Sequence, residues 1–291
     1  MRPMEILPEC HDCLKRLVEL TTAQASPDPV LQQQARRAAL DLITREFRPG
    51  AIPAAIANRF HHAIMAITNN PDPFASRKAA ETASLSRRFR GLAANYGDDL
   101  ESLLKLAALG NAIDFFRSEA EVTRELTSRV EFALSELDCF RRQLGGPGGL
   151  LLYLADNAGE QFFDYPLVAG LRRLGWRVLY VVKAGPIQND LTREDLYASG
   201  LEAKLAPLTD SGARTVGLDL AQASPAFREL YGQAQIILAK GMGHFETMSH
   251  LPDPRLYFLL QAKCRPVALA LGVPRGAFAF CRSPAIYLDT A

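Results

Sequence analysis

Cysteine is scarce in this chain. Five in 291 residues, an odd number, do not make a disulfide framework, so a reducing cytoplasm is the expected compartment. Long apolar runs are missing as well: no stretch approaches the roughly 18 residues that span a bilayer. The opening MRPMEILPECHDC lacks a basic segment followed by an apolar core, so no signal peptide is expected. There is no excess of charge of either sign. Lys+Arg is 33 against Asp+Glu 32, a net +1, and no global field draws the chain to nucleic acid or an anionic membrane. Three fingerprints are also absent: G-x-G-x-x-G after a strand, G-x-x-x-x-G-K-[ST], and G-x-S-x-G. Dinucleotide binding, P-loop nucleotide binding and a serine nucleophile elbow are therefore disfavoured. What remains is an ordinary globular composition, 48% hydrophobic and 22% charged, in a chain about twice an ordinary domain. The expected partner is a small molecule.

The chain reads as two halves. Residues 1–145 show helical periodicity almost throughout. Leu31, Ala35, Ala39 and Leu42 follow Pro29; Ile52, Ile56 and Phe60 surround Pro53; Ala79, Ala83, Leu85 and Phe89 form a third stretch. Leu103 to Phe116 is apolar on most faces and reads as a buried helix, and a fifth helix is expected over Val122–Leu144. Gly145-Gly146-Pro147-Gly148-Gly149 then punctuates the sequence. Residues 146–291 alternate strands and helices. Strands are expected at Leu150–Leu154, Arg177–Val182, Gln235–Ala239 and Arg255–Leu260, with minor ones at Leu201–Leu205 and Ala285–Leu288. Helices are expected at Phe162–Leu174, Thr192–Ala198, Ser224–Gln233 and Pro266–Leu271. The fold class is α/β: a Rossmann-like, mostly parallel sheet with helices on both faces, preceded by an all-helical N-terminal domain.

Polar residues collect where strands end, which is where ligands bind in open parallel sheets. The first strand runs into Asp156-Asn157-Ala158-Gly159-Glu160, the second into Lys183-Ala184-Gly185-Pro186 and Asn189-Asp190, the third into Lys240-Gly241-Met242-Gly243-His244-Phe245-Glu246. Asp156, Asn157 and Asp190 offer only oxygen donors, suited to a hard divalent cation. Glycines let backbone N–H groups approach phosphate, Lys240 adds positive charge, and Glu160 or Glu246 is placed to receive or deliver a proton. Each cluster alone has a plainer reading: Asp-Asn as a helix cap, the lysines as solvated, Gly-Pro as a turn. Three such loops on one sheet edge point to a metal-assisted phosphate site.

These clusters, in this order, resemble the metal-dependent damage-control phosphatase family. The matching pieces are Gly110-Asn111-Ala112-Ile113-Asp114, Asp156-Asn157-Ala158-Gly159-Glu160 with Phe163-Asp164, Val182-Lys183-Ala184-Gly185-Pro186 with Asn189-Asp190, and Lys240 through Thr247. Ala262-Lys263-Cys264 and Leu271-Gly272-Val273 match too, and Cys10-x-x-Cys13 is similar to the archaeal and bacterial branch. The resemblance implies hydrolysis of phosphate monoesters such as sugar phosphates or phosphopantetheine-type metabolites, with Mg²⁺, Mn²⁺, Co²⁺ or Ni²⁺. It implies Asp156, Asn157 and Asp190 as metal ligands and Lys240 on phosphate. Asn111 and Asp114 would bring the helical half into the site, with Gly185, Asn189, Gly241 and Glu246 contacting substrate and Glu160 assisting catalysis. Ala184, Gln188 and His244 depart from the usual pattern and bear on the substrate more than on the chemistry. Attack by a bound water and attack by Asp156 itself both stay open. So do two rival classes, a non-catalytic phosphometabolite-binding protein and a methyltransferase.

Cys10-x-x-Cys13 has the spacing of half a structural zinc site, and the remaining ligands would come only through tertiary contact. His61-His62 does not suit one metal, because adjacent helical residues point about 100° apart. Arg87-Arg88-Phe89-Arg90 reads as a solvated helix face.

Overall fold

Proline opens the helical half three times, at a position where its missing N–H costs nothing. Helices α1 (Pro8–Ala25), α2 (Pro29–Glu46) and α3 (Pro53–Thr68) each begin with it. The computed structural model describes residues 2–112 and 129–283. The three helices share a core of Leu14, Leu17, Val18, Ala35, Ala39, Ile43, Ile56, Phe60 and Ile64. α4 (Ala75–Ala93) and α5 (Leu100–Gly110) follow. Asp99 caps α5 by accepting from Glu101 N and Ser102 N. As its composition predicts, α5 is buried along most of its length, and it packs against the sheet layer with Asn111 at its end.

Among the described residues the sheet has seven strands: β1 (Phe132–Ser135), β2 (Leu150–Leu154), β3 (Arg177–Val182), β4 (Leu208–Asp210), β5 (Ile236–Lys240), β6 (Leu256–Gln261) and β7 (Phe278–Arg282). Their order is β1-β7-β6-β5-β2-β3-β4, parallel throughout except for the antiparallel β6–β7 pair. The remaining helices are α6 (Leu137–Leu144), α7 (Gln161–Arg173), α8 (Arg193–Ala198), α9 (Glu202–Leu205), α10 (Pro225–Gln233), α11 (Gly241–Met248) and α12 (Arg265–Leu271). Alternate strand residues feed two cores. Tyr153, Tyr180, Leu238 and Tyr257 meet α5 and α7 on one face; Leu152, Val181, Ile237 and Phe258 meet α10, α11 and α12 on the other.

Several elements differ from the sequence reading, helix α11 and strand β4 having no counterpart in it. In place of a helix over Val122–Leu144, the described part holds strand β1 and then α6; β1 pairs with β7, and a sheet partner overrides local helical periodicity. Leu201–Leu205 is not a minor strand, since Glu202–Leu205 is helical and the edge strand follows at Leu208. β7 has no counterpart in the sequence reading, and the strand expected at Ala285–Leu288 lies outside the described residues. Among the described residues, no helix is long and apolar enough to cross a membrane.

Candidate active site

The sheet order determines where a ligand sits. From β2 the chain moves outward to β3 and β4 on one side, while β5 and β6 lie on the other. The switch point is therefore between β2 and β5, and a crevice opens beyond their carboxyl ends. Asp156 follows β2, Lys183 follows β3, Lys240 closes β5, and Lys263 follows β6.

The loops after β2 and β3 are joined by backbone bonds. Leu191 N donates to Asp156 O (2.8 Å) and Ala158 N to Asn189 O (2.8 Å), with an antiparallel bridge between Asn157 and Asp190. This brings Asp156, Asn157 and Asp190 together although 33 residues separate Asn157 from Asp190 (190 − 157). α5 supplies the fourth member. Asn111 Nδ2 donates to Asp156 Oδ2 (2.9 Å) and Glu160 Oε1 (3.2 Å), and its Oδ1 accepts from Gln261 N (3.2 Å). Asn157 Nδ2 donates to the same two carboxylates, at 2.9 and 2.7 Å. Gly241 has φ +80°, and a Cβ there would overlap the Asp156 carboxylate, so glycine is required for the β5–α11 turn to pass so close.

Lys240 is not where the motif resemblance implies. It is fully buried, as are Glu160 and Asp164, and its ammonium donates to Glu160 Oε2 (2.7 Å) and Asp164 Oδ1 (2.6 Å). Tyr153 and Tyr180 hydroxyls donate to Asp164, both at 2.7 Å. Burial raises the Glu160 carboxyl most, but the Lys240 charge and hydrogen bond, the Asn157 hydrogen bond and the Lys263 charge together outweigh it and hold the group below its ordinary range. Lys240 and Glu160 thus form an internal ion cluster that props Asn111 and Asn157 against Asp156, and neither lines the cavity. The physical reason is the pairing itself: an ammonium enclosed between two buried carboxylates has its charge already balanced and stays with them in the interior. Gly185 is likewise set back, lying under the Arg214 side chain.

The cavity at the crevice is about 170 Å³. Its floor includes Asn111, Asp156, Asn157, Asn189 and Asp190, and Lys263 and Glu246 stand on its sides. Asp114 lies outside the described residues. Lys263, which stands in one of the matching motifs without a role implied for it, also lines the cavity. Its charge acts on Asp156 and Glu160, and the available signal was its place after a fourth strand on the same sheet edge. Lys183 is buried instead, donating to Gly217 O (2.7 Å), with its ammonium 3.3 Å from Asp190 and from His244 Nε2. Burial and Lys183 hold His244 well below its ordinary pKa, so the ring is neutral; Nδ1 faces Lys240 O at 2.6 Å.

The floor fits a hard cation. Its side-chain donors are oxygens, and Asp190 Oδ2 is buried without a well-aligned hydrogen bond among the described residues. Burial, then the charges of Glu160 and Asp190, push the Asp156 carboxyl well above its ordinary range. Burial also pushes Asp190 up to about 6. Carboxylates that repel one another at a cavity floor are the setting that a cation relieves.

A family model, the damage-control phosphatase ARMT1-like domain, matches residues 6–278. The chain belongs to this damage-control phosphatase family. It is 34% identical to damage-control phosphatase PH1575 of Pyrococcus horikoshii, covering 96% of this chain and 99% of that one. It is 29% identical to a damage-control phosphatase of Archaeoglobus fulgidus, covering 94% and 97%. The crystal structure of the P. horikoshii protein, described as a DUF89 family member, superposes with a TM-score of 0.86 at 32% identity over 96% of this chain and 99% of that one.

Within this damage-control phosphatase fold, the cysteine pair sits at the start of α1, with Cys10 buried and Cys13 exposed at the cavity. The Glu9–Arg265 ion pair (3.1 Å) ties that end of α1 to α12, beside Cys264. Among the described residues, no group of three or more His, Cys, Asp or Glu is assembled to hold a metal ion. Elemental analysis of the parent chain and of Cys10→Ala tests the pair: loss of one zinc per chain in the variant would establish a thiolate site, and equal zinc content would exclude it. His61 is core, unprotonated because burial lowers its pKa to about 3, and His62 Nε2 lies 2.9 Å from Arg214 O at the surface.

Glu246 links the helical half to α11 by accepting from Ala54 N (3.0 Å), and burial raises its carboxyl to about 7. A raised carboxyl favours the folded state below the unfolded pKa, and this contribution is lost as pH rises from about 4.5 through 7. Glu246→Gln should flatten the stability profile across that window by at most about 3 kcal/mol, because the carboxylate keeps some contact with the cavity. Denaturant melts at pH 5 and 8 measure this. An unchanged difference between the two pH values would show Glu246 ionised without cost.

Proposed function

We propose that this chain is a phosphatase that hydrolyses phosphate monoesters of small metabolites with a divalent metal ion held by Asp156, Asn157 and Asp190. The observation that carries the reading is the meeting of two carboxylates and a carboxamide at a cavity floor with the Lys263 ammonium beside them. Family membership and the names of the relatives support it. Mg²⁺ or Mn²⁺ suits the oxygen donors, and Co²⁺ or Ni²⁺ is a workable substitute. When bound, the metal neutralises developing phosphate charge and acidifies water for attack on phosphorus.

The side chains do the rest. Lys263 offers its positive charge to the phosphate oxygens, the part first assigned to Lys240. Asn111 and Asn157 hold the Asp156 carboxylate in one orientation, and the Lys240–Glu160–Asp164 cluster holds them. Glu246, largely protonated below pH 7, is placed to give its proton to the departing alkoxide oxygen. Glu160 is excluded from that step because its carboxylate is bound to Lys240 away from the cavity.

The test is phosphate release from p-nitrophenyl phosphate and a panel of sugar phosphates, with chelated protein supplied in turn with Mg²⁺, Mn²⁺, Co²⁺ or Ni²⁺. Turnover restored by metal is the expected result. Folded protein inert with every metal would overturn the reading in favour of a non-catalytic phosphometabolite binder.

A further inference from the structure

Among the described residues, two that are not glycine have φ in the left-handed region, Asn69 and Gln188. Asn69 (φ +49°) ends α3, where helices commonly finish on such a residue. Gln188 (φ +46°) ends no helix. It is the second residue of a turn closed by Asp190 N donating to Ile187 O (3.1 Å), and it lines the cavity. Glycine, asparagine and aspartate are the usual occupants of such a position; glutamine is strained there, because its Cβ crowds the following carbonyl.

The surroundings hold the strained residue in place. Ile187 is buried, Asn189 O accepts from Ala158 N (2.8 Å), and the bridge between Asn157 and Asp190 fixes the end of the turn. Strain of this kind persists where neighbouring structure over-determines it, and it gathers at ligand sites. Here it sets a long polar side chain at the cavity, and the Gln188 carboxamide makes no hydrogen bond to another described residue. The Cα atoms of Gln188 and Asp190 are at most about 7 Å apart, two residues of chain. A phosphate held at Asp190 therefore has the first carbons of its alcohol within reach of the glutamine. Metal and Lys263 answer the phosphate charge on that reading. A neutral carboxamide carries both donor and acceptor, so it pairs with a hydroxyl in either role.

We infer that Gln188 is a specificity-determining residue, whose carboxamide hydrogen-bonds a hydroxyl on the alcohol part of the phosphate ester, close to the phosphate. This rests on the phosphatase reading for the position of the phosphate. An ester without that hydroxyl leaves the carboxamide desolvated and unpaired, and the site discriminates against it for that reason.

The test compares esters on metal-loaded protein. Glycerol phosphate and ribose 5-phosphate are set beside propyl and pentyl phosphate, esters of primary alcohols with the same carbon counts and no hydroxyl. In the parent protein kcat/KM should favour the hydroxylated member of each pair by about tenfold or more. Gln188→Leu should remove most of that preference by lowering kcat/KM for the hydroxylated esters, with the alkyl esters within about twofold of the parent. Gln188→Gly relieves the left-handed conformation, so it should lose the same preference with no fall in melting temperature. An equal fall for all four esters would place the carboxamide on the phosphate or in the fold and overturn the inference. So would a preference that is absent from the parent or unchanged in Gln188→Leu. If the folded parent hydrolyses none of the esters, the phosphatase reading fails. Calorimetric binding of the same four esters then decides separately: a hydroxyl preference lost in Gln188→Leu upholds the role of Gln188, and its absence removes that too.

Discussion

Asp190→Ala is expected to lower phosphate release by about 10³-fold or more, because it removes one of two carboxylates from the cavity floor and with it about 4 kcal/mol of transition-state stabilisation. The same loss is expected of Asp156→Ala. Asp190→Ala also removes the buried counter-charge of Lys183, 3.3 Å away, so turnover is compared on variant protein shown to be folded. Lys183 keeps the Gly217 carbonyl when the carboxylate is removed, so the loop retains an anchor. Asp190→Asn preserves the shape and separates charge from packing. Calorimetric titration with Mn²⁺ should show affinity reduced alongside turnover in both Asp190 variants. Activity retained in Asp156→Ala and Asp190→Ala together would refute the metal assignment.

The second large effect falls on stability. Lys240→Met leaves Glu160 and Asp164 buried without their counter-charge, and breaking a buried ion cluster from one side costs about 3–5 kcal/mol. The two tyrosine donors to Asp164 do not replace an ammonium, because they carry no charge. Denaturant unfolding of Lys240→Met should therefore shift to much lower concentration. Lys263→Met should do the opposite: stability within about 1 kcal/mol of the parent chain and a large fall in kcat/KM. A Lys240→Met protein as stable as the parent but poor in kcat/KM would return Lys240 to the phosphate.

The two lysines show where sequence reading stops. Both follow strands, both stand in motifs that resemble the family, and nothing in the linear order says which way either ammonium turns. Lys240 turns inward because Asp164, one turn into α7, lies beneath it and Glu160 precedes that helix. Lys263 stays at the cavity, where its charge acts on Asp156 and Glu160. The direction is settled by a carboxylate 76 residues away, and such a partner has no local signature.

Strand β1 makes the same point for the fold. Phe132–Ser135 reads as a continuation of helix because four residues are too few to show alternation against a helical background. Its pairing with β7, almost 150 residues later, makes it a strand. The central strands were legible for the converse reason. Residues 150–154, 178–182 and 236–239 are continuous apolar runs, almost wholly buried, so composition alone separates them from their flanks.

The sequence by itself determined the α/β class, the helical lead-in, the oxygen-rich loops after β2 and β3, and the absence of nucleotide fingerprints. These depend on short-range composition and spacing. Only the tertiary structure decided that Asn157 meets Asp190, that Lys240 is an internal prop, that Lys263 stands at the cavity, and that α1 and α3 line it. Each depends on contacts between distant segments, and burial assigns the role: a charged group enclosed in the interior supports the fold, while one that lines a cavity can meet a ligand.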